Sequence, residues 1–114
     1  MIAPLAISPS GEGLNVDADR AAAMVAGTLQ AEQLIILTNV PGLMRSFPDK
    51  STLITYLPKM ELEGAFSFAE GRMKKKILGA GEALDLGVSK VVIADGRVEH
   101  PLRTALAGAG TVIS

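Results

Sequence analysis

Cysteine is absent from the 114 residues, histidine occurs once, and no apolar run reaches the length of a membrane span. The first absence excludes disulfides, a thiolate nucleophile and zinc–thiolate centres, and it accords with a reducing, cytoplasmic setting. The lone histidine, His100, leaves no second imidazole for a histidine metal site, so no resident metal is expected. Strong charge of either sign is missing too, the formal net charge being −1. No overall field steers the chain to nucleic acid or to a membrane, and any basic function has to be local.

What is present is ordinary globular material: 48% hydrophobic and 20% charged residues, in a length that suits one domain with one core. The opening "MIAPLAISPS" has no basic region and is broken by Pro4, so it reads as a buried strand, Ile2 to Ile7, rather than as a signal peptide. "SPSGEG" follows, dense in turn formers. "LNVDADRAAAMVAGTLQA" reads as a helix capped by Asn15 or Asp17, its alanines suited to close packing on a sheet. "QLIILT" and "SKVVIAD" are near-continuous apolar runs, the pattern of parallel strands covered on both faces.

Between them, "MRSFPDKSTLITYLPK" is irregular, with a strand expected at Leu53 to Tyr56 and a short helix within Lys59 to Ala69. Arg72 to Leu86 is a clearer helix, with Met73, Ile77, Ala80 and Leu84 on one face and Gly87 as its stop. A short helix begins near Pro101, and "GTVIS" is a last strand. This alternation predicts an α/β fold of three layers, αβα, around an open, mostly parallel sheet.

In such sheets ligands gather at the carboxyl ends of strands. Three segments are expected there: "SPSGEGLNVDAD", "TNVPGL" and "DGRVEH". Asn15, Asp17 and Asp19 alternate around a helix start, a pattern that fits capping best and, after it, carboxylates that organise lysines or a metal. Thr38 and Asn39 lie at a strand tip before the turn signal Pro41-Gly42, which suits a plain turn or a loop lining a nucleotide. Lys74, Lys75 and Lys76 project about 100° apart on a helix and cannot form one basic patch. Lys76, beside the buried Ile77, is the one placed to hold a phosphate with help from the helix dipole. Gly79-x-Gly81 lacks a third glycine and sits inside the helix, so it fails as a dinucleotide fingerprint and reads as helix–sheet packing. His100 reads as structural, and Glu99 and Arg103 as exposed.

Taken in order, "GEGLNVDADRAAAMVA", "LIILTNVPGL", "GRMKKKILGAGEAL", "KVVIADGRVEHPL" and "GAGTVIS" resemble the C-terminal half of acetylglutamate kinases in the amino-acid kinase family. "TNVPGL", "GRMKKK" and "ADGRVEHP" resemble most the branch acting on amino acids attached to a LysW-type carrier protein. The resemblance implies half of the amino-acid kinase fold, with residues 1–114 as a C-terminal nucleotide-binding domain and the N-terminal substrate domain absent. It implies transfer of the γ-phosphoryl of ATP, as its Mg2+ complex, to a carboxylate of carrier-bound aminoadipate or glutamate, or of N-acetylglutamate, in lysine or arginine biosynthesis.

The resemblance also assigns residues. Lys76 matches the lysine that stabilises the transferring phosphoryl group, and Asp19 the aspartate that orients it. Asn15 matches a substrate-binding asparagine. Thr38, Asn39 and Gly42 match the loop beside the nucleotide, which Met73 borders. The full-length enzyme is expected to be a homo-oligomer. Asn39 departs from an aspartate common in acetylglutamate kinases, and Ala18 from a glycine frequent in the carrier-linked branch. A non-catalytic nucleotide-binding module on the same fold is the alternative.

Overall fold

The computed structural model describes residues 5–15 and 17–114. The chain runs through β1 (Leu5–Ile7), β2 (Gly13–Asn15), α1 (Ala18–Thr28), β3 (Gln33–Thr38), β4 (Tyr56–Leu57), α2 (Leu62–Ala65), α3 (Arg72–Asp85), β5 (Lys90–Asp95), α4 (Pro101–Leu106) and β6 (Thr111–Ile113). The strands expected at "QLIILT", "SKVVIAD" and "GTVIS" are all present as β3, β5 and β6, together with the helices α1, α3 and α4. A 3₁₀ turn, Lys59–Glu61, leads into α2 where a short helix was expected. In the irregular segment Leu53 makes an isolated bridge to Met44, and strand structure is confined to Tyr56–Leu57.

The first strand departs from expectation. β1 pairs antiparallel with β2 in a hairpin separate from the main sheet, while Ile2 to Pro4 lie outside the described residues. The turn formers of "SPSGEG" cause this. Gly11 takes φ 89°, and Glu12 donates to the hydroxyl of Ser8 at 3.0 Å, so the loop reverses the chain onto itself. The residues before α1 therefore approach it from a hairpin, and "SPSGEGLNVDAD" does not follow a strand of the main sheet. Asp17 rather than Asn15 is the helix cap, accepting from the Asp19 amide at 3.0 Å.

The main sheet has the order β3-β5-β6-β4. β3 and β5 are parallel, with Thr38 opposite Asp95, and β4 is parallel to β6. β5 and β6 are antiparallel, so the sheet is mixed but mostly parallel. The reversal follows from the length of α4. Its six residues rise about 9 Å, against about 20 Å for the six residues of β5. The helix is too short to carry the chain back to where β5 began. Gly110, at φ 90°, makes the tight entry into β6 against the carbonyl of Ile93, where a side chain would clash.

Helices cover both faces. Val91 and Ile93 point into the core beneath α1 and α3, while Val92 and Ala94 face Ala105 of α4, the alternation a strand requires. β5 is buried on both sides as its composition predicts. β3 is not, because it lies at the edge of the described sheet: Ile36 is buried but Leu37 is 40% exposed. On α3, Ile77 and Ala80 are buried, with Met73 and Leu84 packed against the same core.

The small residues serve helix–helix contact more than helix–sheet contact. A Cβ on Gly79 would lie 3.0 Å from the main-chain oxygen of Asp19, and Ala23, Ala80 and Ala83 are fully buried. α1 and α3 therefore meet nearly backbone to backbone. Among the described residues, no helix is long and apolar enough to cross a membrane.

Candidate functional site

Two strand ends and one helix start form the site. β3 and β5 end level with each other at Thr38 and Asp95, and the Gly96 amide donates to the Thr38 carbonyl at 2.7 Å. The chain leaves β3 through Asn39 and Val40 and turns back into the core at Gly42, Leu43 and Met44, all three buried. The first turns of α3 face this loop. Between them lies a cleft of about 480 Å3, within the range of small-molecule sites. Thr38, Asn39, Gly42, Met73 and Lys76 all line it. These residues are scattered along the sequence, and the fold brings them to one surface.

Lys76 is the best-defined group there. Its Nζ lies 3.0 Å from Oδ2 and 3.2 Å from Oδ1 of Asp19, donating to both oxygens. The side chains are only 14% and 22% exposed, so the pair is partly shielded from water and more strongly coupled than a surface pair. The close approach at Gly79 makes this reach possible, since it brings the first turn of α1 against α3. Lys74 and Lys75 are exposed, as the helical arithmetic requires. The two aspartates of "NVDAD" have separate roles: Asp17 caps α1 and Asp19 holds the lysine. Asn15 ends β2, and its side chain lies outside what the structure describes.

Several cleft residues were not anticipated. Phe47, Phe68, Glu70 and Arg72 also line it. Phe47 is 51% exposed at the rim, and the Arg45 guanidinium lies over the Phe68 ring at 5.4 Å. Phe47 and Arg45 come from the irregular segment, whose lack of periodicity gives no face to read. Its density of aromatic and basic residues beside a strand-tip loop is the one available signal.

At the end of β5, Asp95 accepts from the Arg97 amide at 2.8 Å and from its Nε and Nη2 at 2.9 Å each. This fork, chiefly the guanidinium and then the amide, holds the Asp95 carboxyl down at about 2. The same contact raises the Arg97 guanidinium above its ordinary value. His100 sits outside the cleft, exposed, at φ 55°, with Nε2 at 3.6 Å from Glu99 Oε1. Glu99 and Arg103 are exposed as expected. Among the described residues, no group of three or more histidine, aspartate or glutamate side chains is placed to hold a metal ion.

Residues 1–95 match the model of the amino acid kinase family. The chain belongs to that family. Among its amino acid kinase relatives, the LysW-aminoadipate kinase of Deinococcus radiodurans is 50% identical over 114 residues, which is 100% of this chain and 39% of that protein. The acetylglutamate kinase of Pseudarthrobacter chlorophenolicus is 43% identical over 108 residues, 92% of this chain and 34% of that protein. Among solved structures, N-acetylglutamate synthase from Neisseria gonorrhoeae, in complex with coenzyme A and L-arginine, superposes with a TM-score of 0.84 and 36% identity. That match covers 97% of this chain and 26% of the synthase chain. The chain thus spans about two fifths or less of the curated relatives it matches.

Proposed function

We propose that this chain is the nucleotide-binding half of an ATP-dependent kinase that converts an amino-acid side-chain carboxylate into an acyl phosphate. The observation that carries the reading is the Lys76–Asp19 pair, fixed beside a cleft that the Thr38–Gly42 loop and Met73 also line. A carboxylate oxygen of the acceptor attacks the γ-phosphorus of ATP, the bond to the β,γ-bridging oxygen breaks, and ADP leaves. No protein nucleophile is needed, so catalysis rests on positioning and on positive charge at the equatorial oxygens. Lys76 supplies that charge, and Asp19 keeps its ammonium aimed into the site rather than free to swing. Thr38 and Asn39 offer a hydroxyl and an amide to the nucleotide, and Met73 offers an apolar wall. Magnesium enters on the ATP phosphates as part of the substrate complex, which asks few carboxylates of the protein.

The relatives' names support an acceptor that is carrier-bound aminoadipate or glutamate, or N-acetylglutamate, and hence a cytoplasmic role in lysine or arginine biosynthesis. In this reading the remaining length of the enzyme binds the acceptor, with Asn15 contacting it, and a LysW-type protein presents it. The full-length enzyme is a homo-oligomer. The alternative reading is a non-catalytic nucleotide-binding module on the same fold.

Titration calorimetry of Mg-ATP into the chain tests the shared premise. Saturable one-site binding that weakens severalfold in Lys76→Ala is expected. No binding by the unmodified chain at millimolar nucleotide would remove both readings.

A further inference from the structure

We propose that Thr111 is a positioning residue that sets the loop receiving the nucleotide; this rests on the nucleotide reading of the cleft. Thr111 is the one polar residue that is fully buried among the described residues, at 0% exposure. Its hydroxyl is used twice. Oγ1 accepts from the Leu43 amide at 2.9 Å and donates to the Ile54 carbonyl at 2.5 Å. The Leu43 carbonyl in turn accepts from the Ile54 amide at 2.8 Å, so both main-chain groups of Leu43 are held. Gly42 lies directly against the hydroxyl, where a Cβ would sit 2.7 Å from Oγ1. Gly42, Leu43 and Met44 are lining residues of the cleft. One hydroxyl therefore joins the inner turn of the loop to the segment before β4 and to the start of β6.

The topology explains why this residue can reach. Because β6 runs antiparallel to β5, its first residue pairs opposite Ile93, two positions before Asp95. That places Thr111 near the edge where β3 and β5 end. In a parallel β6 the first residue would lie at the far edge, beside Lys90. Thr111 also falls beyond residues 1–95, the span that matches the family.

Replacing the hydroxyl by a methyl of the same shape leaves a buried N–H and a buried carbonyl each short of a partner. The loop is then free to leave its seat, and binding has to order it again, which weakens affinity.

The experiment uses the full chain and Mg-ATP, with calorimetric Kd, hydrogen exchange at the Leu43 amide and Tm. Thr111→Val is expected to raise Kd about tenfold and to speed exchange at Leu43. Thr111→Ser, which keeps the hydroxyl, restores both. Val92→Ala, in the core on the other face of the sheet, lowers Tm but leaves Kd within about twofold. If Thr111→Val does not fold, Thr111→Cys, with its weak donor and acceptor, is read instead and is expected to weaken binding severalfold. Wild-type affinity in the variant that is read, or an equal loss in Val92→Ala, overturns the role of Thr111 while the nucleotide reading stands. No Mg-ATP binding by the unmodified chain overturns both.

Discussion

Lysines 74 to 76 are chemically identical and differ only in direction. Lys76 alone is directed at a carboxylate across the α1–α3 contact, and its expected weight in catalysis follows from that. In an active enzyme carrying this sequence, Lys76→Ala should lower kcat by roughly two to three orders of magnitude, the range for losing a preorganised charge at a developing oxyanion. Asp19→Asn should lower kcat about tenfold with the melting profile nearly kept, because the helix cap is Asp17. Asp17→Ala should do the converse, costing about 1 kcal/mol in chemical denaturation with kcat nearly unchanged. Asp95 gives a pH prediction. Its folded carboxyl lies at about 2 against an ordinary 3.8, so as pH falls below about 4 the unfolded chain takes up the proton first. The stability that Arg97 confers is thus present in full above about pH 4 and lost towards pH 2. Urea denaturation should show a gap between wild type and Arg97→Ala at pH 6 that closes in acid. At this scale, Lys76 was legible because 100° steps separate neighbouring lysines, and Thr38 because a strand tip is a defined place. Phe47 was not, since an irregular segment assigns no direction to its side chains.

Elements with a strong period were legible from composition alone: α3 by its apolar face, β3 and β5 by their apolar runs. Direction and pairing were less so. "SPSGEG" reads as a turn, but nothing in its residues says that the next few extended residues pair back onto β1. The reversal of β6 depends on the rise of α4 against the length of β5, a comparison that requires both elements to be placed first. Gly79 read as a packing residue, which it is, but its neighbour proved to be a helix. Gly79→Ala tests that contact. The methyl meets the main chain of Asp19, an overpacking that costs roughly 1–3 kcal/mol, while better helix propensity returns about 1 kcal/mol. A net loss of about 1 kcal/mol is expected, with kcat falling further than stability suggests because the shift separates Lys76 from Asp19. A variant more stable than wild type with unchanged kcat would show that α1 yields freely.

For the whole molecule, a chimera is the natural experiment. Grafting this chain in place of the corresponding 39% of the Deinococcus radiodurans relative should give a kinase whose activity falls by roughly the same two to three orders of magnitude with Lys76→Ala. A chimera that folds and binds Mg-ATP yet makes no acyl phosphate would favour the non-catalytic module. Assays with free and carrier-attached acceptors would then name the substrate. The backbone-to-backbone seat of α1 on α3 has a further consequence, and it concerns time. A lysine free in water reorients within picoseconds to nanoseconds. Lys76 is held to Asp19 by two hydrogen bonds across helices that touch through their main chains, so it leaves its place only by breaking both, and it spends more of its time in one position than a free lysine does. The charge is in place before the nucleotide arrives.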